Sequence, residues 1–171
     1  MQENIIIVDE FDNQIWEWEK MDVHRKALLH RAFSLLIFNE KWELMLQQRA
    51  LSKYHSWWKW TNTCCSHPRS WETVDMAIHR RLIEEMWFDT VLEKKTEFIY
   101  KVKLDNELTE HEYLHVFIWK YNDWPKLNKE EVMDWKWVSL KDLKIDMEKN
   151  PQNYAKRFNI IVKCHFEKIF L

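Results

Sequence analysis

Thr61-Asn62-Thr63-Cys64-Cys65-Ser66-His67-Pro68, and the run Arg80-Arg81-Leu82-Ile83-Glu84-Glu85-Met86 that follows it, decide how this chain is read. The first stretch closes a segment, residues 50–68, rich in Ser, His, Asn, Cys and Pro with weak apolar periodicity, which reads as an ordered functional loop. From Glu72 the pattern changes. Val74, Ala77, Ile78, Leu82 and Met86 recur at helical spacing and make one apolar stripe. A loop of reactive side chains therefore feeds straight into an amphipathic helix.

Working outward, the segments on either side alternate between strand and helix patterns. Met1–Asp9 reads as a first strand. Arg31–Phe38 and Glu43–Gln48 read as two strands joined at Lys41-Trp42. Glu97–Leu104 alternates, with Phe98, Tyr100, Val102 and Leu104 on one face. Glu112–Lys120 and Glu131–Val138 are further strands, Leu140–Lys149 a helix, and Gln152–Phe170 a closing amphipathic helix. No repeat, linker or low-complexity tract divides the chain, so residues 1–171 are expected to form a single domain. Strands mixed with helices predict an α/β layered sandwich.

Composition narrows the function class. With 46% hydrophobic and 32% charged residues, the chain reads as globular. A formal net charge of −2 offers no global basic field, so neither nucleic acid nor an anionic membrane is expected as a partner. No apolar run approaches the roughly 18 residues of a spanning helix, and the N-terminus lacks the basic start of a signal peptide. Three cysteines, two of them adjacent, make a poor disulfide framework and suit a cytoplasmic, reducing setting.

The chain has no glycine and twelve tryptophans. At the usual share of about 7%, roughly 12 glycines would be expected, because glycine alone reaches positive φ without steric penalty. Trp42 closes Asn39-Glu40-Lys41-Trp42 in a hairpin setting, Trp124 lies between Asp123 and Pro125, and Trp87 follows a helix end. We read Trp16, Trp42, Trp57, Trp58, Trp71, Trp87, Trp119 and Trp124 as glycine-type positions.

Several side chains carry chemistry. His24, His30, His67, Glu110 and Glu112 supply three imidazoles and two carboxylates, a mix that suits a borderline divalent ion such as zinc or manganese. On a strand, Glu110 and Glu112 point to the same face. Read singly, each histidine fits an ordinary surface or core position better than a ligand's. Glu84 and Glu85 with Arg80 and Arg81 suit a magnesium-bridged diphosphate, or a solvated helix face with i,i+4 pairs such as Arg81 with Glu85. Lys20, Arg49 and Lys53 are surface charge or phosphate ligands. Cys65, beside Ser66 and His67, is a better reactive thiol than Cys164, which sits on the closing helix and is expected in the core. Chemistry alone leaves Cys64 open as the reactive one.

Thr61–Pro68 together with His24-Arg25-Lys26-Ala27-Leu28-Leu29-His30-Arg31-Ala32-Phe33-Ser34 resembles the type 1 isopentenyl-diphosphate delta-isomerases, and the similarity runs from about residue 3 to 165. Cys65-Ser66-His67-Pro68 and Glu110-His111-Glu112 are its specific elements, and Ser66–Phe88 has the length of a Nudix box, the parent motif. The resemblance implies a Nudix-like α/β/α sandwich with a mixed β-sheet. It implies Cys65 and Glu112 as the catalytic pair on opposite faces of an allylic unit, with Tyr100 bonded to the glutamate. It implies His24, His30, His67, Glu110 and Glu112 as a first metal site for Mn2+ or Zn2+. Glu85 with the Cys65 backbone carbonyl would hold Mg2+, and Lys20, Arg49, Lys53 and Arg81 the diphosphate. The expected partner is a small-molecule diphosphate, bound by a monomer or weak homodimer. Arg81 stands where Nudix hydrolases keep a catalytic glutamate, which argues against a pyrophosphohydrolase. Two departures stand out. Family members usually carry tryptophan near the position of Arg157, where a positive charge would repel a carbocation. Trp57, Trp58 and Trp71 flank the Cys65 loop, so a metal-binding but catalytically impaired variant is the third reading.

Overall fold

Strand β3, His30–Phe38, is apolar on both sides, and the fold is built around it. Our computed structural model describes residues 3–53 and 55–170. Successive strand side chains point to opposite faces, and β3 sorts its residues accordingly. Ala32, Leu36 and Phe38 enter one core, while Phe33, Leu35 and Ile37 enter the other. β4 (Glu43–Arg49) repeats the division, with Leu44 and Leu46 on the first side and Met45 on the second. A sheet with two buried faces needs a helical layer on each.

The nine strands among the described residues lie in one mixed sheet. β8 (Thr109–Lys120) runs parallel to β3 along its whole length, from His30↔Glu112 to Phe38↔Lys120. The other edge of β3 is shared by β1 (Asn4–Val8) at His30, β6 (Cys64–Ser66) at Phe33–Leu35 and β4 at Phe38. β2 (Gln14–Glu19) pairs with β1, β5 (Trp60–Thr61) and β9 (Val132–Ser139) with β4, and β7 (Glu93–Lys103) with β8. Helix α2 (Val74–Met86) covers one face through Ala77, Ile78, Leu82 and Met86. Thr73 caps its start, accepting from the Met76 N–H at 3.1 Å. The other face lies under α3 (Leu140–Lys149), α4 (Lys156–Cys164) and α5 (Phe166–Phe170). The expected α/β/α sandwich with a mixed sheet is what forms. Among the described residues, no helix is long and apolar enough to cross a membrane.

Several boundaries depart from the sequence reading. Met1 and Gln2 of the first expected strand lie outside the described residues. The loop expected at 50–68 contains β5 and β6, which tie it to β4 and β3. Helix α1 (Lys20–Lys26) and strand β2 were not anticipated. The closing helix is not continuous. A 3-10 turn at Pro151–Asn153 precedes α4, and His165 separates α4 from α5 while its ring stacks on Phe98 at 3.5 Å. Cys164, expected in the core, is exposed. It falls about a third of a turn round the helix from Phe158, away from the buried stripe.

Of the eight tryptophans read as glycine-type positions, Trp42, Trp58 and Trp87 have positive φ, at 59°, 61° and 58°. Trp87 is the left-handed cap of α2, its N–H donating to the Ile83 carbonyl at 2.9 Å. Trp42 closes the β3–β4 turn, donating to the Asn39 carbonyl at 3.0 Å. Trp16, Trp57, Trp71, Trp119 and Trp124 have ordinary φ. Their backbone does not require glycine; they share exposure to solvent.

Candidate active site and metal centre

Sheet register assembles the site. His30 on β3 pairs with Glu112 on β8, and Glu112 pairs in turn with Tyr100 on β7, so three functional side chains form one row across three strands. The same rule separates the two adjacent cysteines. Cys64 sits opposite Leu35, on the face under α2, and Cys65 opposite Ser34, on the other face. Cys64 is therefore packed in the core, where burial pushes its thiol well above the usual range. Cys65 is half-buried and lines the cleft. Register thus brings Cys65, and not Cys64, to the cleft.

His24 from α1, His30, His67 and Glu112 are all buried, with ligand atoms within 4.8 Å of one another. His24 Nδ1 lies 2.7 Å from the Lys20 carbonyl, and His30 Nδ1 lies 2.8 Å from the Leu28 carbonyl. A carbonyl can only accept, so each Nδ1 carries the proton and each Nε2 presents a lone pair. Neither Nε2 has a hydrogen-bond partner. Burial lowers the basicity of all three rings, taking His30 down to about 4, so they are neutral at pH 7. Two neutral imidazoles oriented by backbone carbonyls, His24 and His30, together with His67, whose Nε2 lies 3.3 Å from Glu112 Oε1, make a donor set that suits a divalent cation. The residues fit the ion. Glu110, expected in this set, lies outside the cluster of four.

Glu110 and Glu112 are linked by Tyr100, whose hydroxyl lies 3.0 Å from one carboxylate and 2.7 Å from the other. Their environments push them apart. Burial raises Glu110 to about 7. Burial alone would raise Glu112 too, but Arg157, His67 and His30 hold it well below the usual carboxylate range. Arg157, from the first turn of α4, is fully enclosed among these groups. Its Nη1 lies 3.3 and 3.4 Å from the Glu112 oxygens and 3.7 Å from Glu110, while its Nη2 donates to Cys65 Sγ. Burial raises the Cys65 thiol, and the nearby Arg157 and Arg49 oppose that rise.

Lys20, Arg49, Lys53, Arg81 and Glu85 line the same cleft, whose cavity holds about 40 Å³ and opens to solvent. The cations are held by acids: Lys20 by Glu3 at 3.2 Å, Lys53 by Glu131, and Arg81 by Glu84, Glu85 and Glu131 at 2.8, 2.5 and 3.1 Å. The i,i+4 pair of Arg81 with Glu85 is thus present, but buried at a cleft wall rather than on a solvated face. Gln47 donates to the other Glu85 oxygen at 2.7 Å. Arg49 is buried with Nε unpartnered. Gln47, His55, Glu131 and Arg157 escaped the candidate list. Arg157 alone left a signal, its departure from the tryptophan usual near that position in the resembled family.

A curled mixed sheet between helices, carrying a helix whose acids and cations face a polar cleft, defines a class. Residues 28–158 match the NUDIX domain family, to which this chain belongs. A protein of Deinococcus radiodurans shares the fold with a TM-score of 0.72 at 16% identity, over 86% of this chain and 90% of its own. A MutT NUDIX hydrolase from Burkholderia pseudomallei does so with a TM-score of 0.60 at 16% identity, over 77% and 94%. Within that class the chain belongs with the isopentenyl-diphosphate Delta-isomerases. It is 47% identical to isopentenyl-diphosphate Delta-isomerase 2 of Photorhabdus laumondii over 95% of this chain and 92% of that one. It is 46% identical to isopentenyl-diphosphate Delta-isomerase 2 of Aromatoleum aromaticum over 91% and 82%.

Proposed function

We infer that this chain interconverts isopentenyl diphosphate and dimethylallyl diphosphate, with Cys65 and Glu112 as its proton-transfer pair. One observation carries the assignment of residues. Cys65 lines a cleft that also gathers Lys20, Arg49, Lys53 and Arg81 with Glu85, and Arg157, another of its lining residues, contacts both Cys65 and the fully buried Glu112. The outer cations neutralise a diphosphate, which leaves the carbon chain between thiol and carboxylate. Moving the double bond requires a proton delivered to the terminal alkene carbon and another removed from the carbon beside the tertiary centre. Two groups on opposite sides of the carbon chain do both without turning the substrate. Tyr100 bonds Glu112 and fixes its carboxylate. The enclosure of the inner site keeps water from the carbocation between the two steps.

His24, His30, His67 and Glu112 would hold a first divalent ion, Mn2+ or Zn2+, with Glu110 beside them. Glu85 with the Cys65 carbonyl would hold Mg2+ shared with the diphosphate. Bound there, the ions supply positive charge that acidifies attached groups and binds phosphate oxygens. We place the chain in the cytoplasm, consistent with its three unpaired cysteines, and expect a monomer or weak homodimer.

The deciding experiment incubates purified protein with isopentenyl diphosphate in deuterated water. An acid-labile allylic diphosphate carrying deuterium supports the proposal. Release of phosphate would instead indicate a hydrolase, and bound metal without turnover an impaired isomerase.

A further inference from the structure

One side chain stands where the substrate must go. Cys65 and Glu112 are separated by the width of a single guanidinium, that of Arg157, which contacts the sulfur with one nitrogen and both carboxylate oxygens with the other. A five-carbon unit attacked from both sides by these groups has to occupy that slot. The residues lining the cleft are otherwise charged or polar and offer a hydrocarbon no apolar wall. Arg157 Nε is buried without a partner, so this placement leaves one of its donors unsatisfied. A guanidinium left beside a tertiary carbocation would also oppose its formation, since like charges in an enclosed site repel strongly.

We propose that Arg157 is a specificity-determining plug: its guanidinium closes the hydrocarbon slot between Cys65 and Glu112, and only a substrate tail that displaces it gains entry. This rests on the assignment of Cys65 and Glu112 as the proton-transfer pair. The plug taxes ligands that carry a tail and leaves those without one untouched. Inorganic diphosphate needs only the outer cations and binds without moving Arg157. A branched five-carbon diphosphate must first break the guanidinium contacts.

The test is calorimetric binding of inorganic diphosphate and of the unreactive 3-methylbutyl diphosphate to metal-loaded protein. Wild type is compared with Arg157→Met, an apolar side chain of similar length, and Arg157→Lys, which cannot span both groups. Circular dichroism confirms that each variant is folded. Arg157→Met should bind the branched ester about tenfold more tightly, the scale of one lost charge-assisted contact, and inorganic diphosphate unchanged. Arg157→Lys should fall between. Equal effects on both ligands, or a branched ester bound no better by the Met variant, would overturn the plug while leaving the outer site intact. A wild-type protein that fails to bind inorganic diphosphate would overturn the diphosphate reading of the outer cleft, and the plug with it.

Discussion

Replacing Trp42, Trp58 and Trp87 together by glycine should stabilise the protein, although it removes three large side chains. Each has positive φ near 60°, where a side chain crowds the following carbonyl at about 1–2 kcal/mol. Relief at three sites is therefore about 3–6 kcal/mol. Each new glycine returns about 0.4–1 kcal/mol by loosening the unfolded chain. Two exposed cation–π contacts are also lost, Lys120 over Trp42 at 4.3 Å and Lys126 over Trp87 at 4.6 Å. Each is worth about 0.5–1 kcal/mol at a surface site. Taking midpoints, the triple variant gains about 1 kcal/mol net, or about 2–4 °C in melting temperature for a chain of this size. Trp16→Gly in β2 and Trp119→Gly in β8 are the controls. Both positions are extended strand, where glycine costs about 0.5–1 kcal/mol. Denaturant melts followed by far-ultraviolet circular dichroism should show the triple variant rising and both controls falling. If all five positions shift the midpoint in the same direction, backbone handedness is not what distinguishes them, and the reasoning fails.

Cys65→Ala and Glu112→Gln should each abolish isomerisation in the deuterium assay, whereas Cys64→Ala and Cys164→Ala should keep it; an inactive Cys64→Ala with an active Cys65→Ala would reverse the choice of thiol. Dialysed protein should retain about one tightly held divalent ion per chain by elemental analysis, and His24→Ala or His30→Ala should lose it; folded, active protein without metal would end the assignment of the imidazole cluster. Metal-free protein should be less stable at pH 5 than at pH 7. The depressed histidines, with His30 near 4 and His55 near 2, bind protons only when unfolded between their folded values and 6.5, so their contribution is complete above 6.5 and is lost as pH falls. Glu110, raised to about 7, acts the other way, favouring the fold at low pH and losing that contribution as pH rises from 4.5 to 7. Four imidazoles outweigh one carboxyl, and a chemical-melt midpoint that rises on acidification would contradict this balance.

Much of the site was legible because it obeys local periodicity. The alternation that puts Glu110 and Glu112 on one face is a property of any strand, and the stripe from Ala77 to Met86 that seats α2 is a property of any helix. What was not legible depends on partners distant in sequence. The choice between Cys64 and Cys65 is made by Leu35 and Ser34, some thirty residues earlier. The break at His165 coincides with its stack on Phe98 in β7, which no pattern within 152–170 can reveal. Helix α1 spans only seven residues, too short to hold without tertiary support. Strand β2 is exposed along nearly its whole length, so it shows no buried alternation. Arg157 stood out only as a departure from the family's tryptophan; its contacts with Cys65 and Glu112 depend on how α4 packs against the sheet.

None of the twelve tryptophans is buried. Indole emission shifts to longer wavelength and weakens in water, and here eight of the twelve indoles are exposed in the native state and the other four only partly covered. The folded protein should therefore fluoresce much like its unfolded chain, with a broad, red-lying maximum. An optical assay that excites tryptophan would then be nearly blind to unfolding, despite an extinction coefficient far above that of most proteins of this length. Quenching by dissolved iodide, however, would reach most of the signal without any denaturant, and would turn the surface indoles into a direct measure of how much of each lies open to solvent.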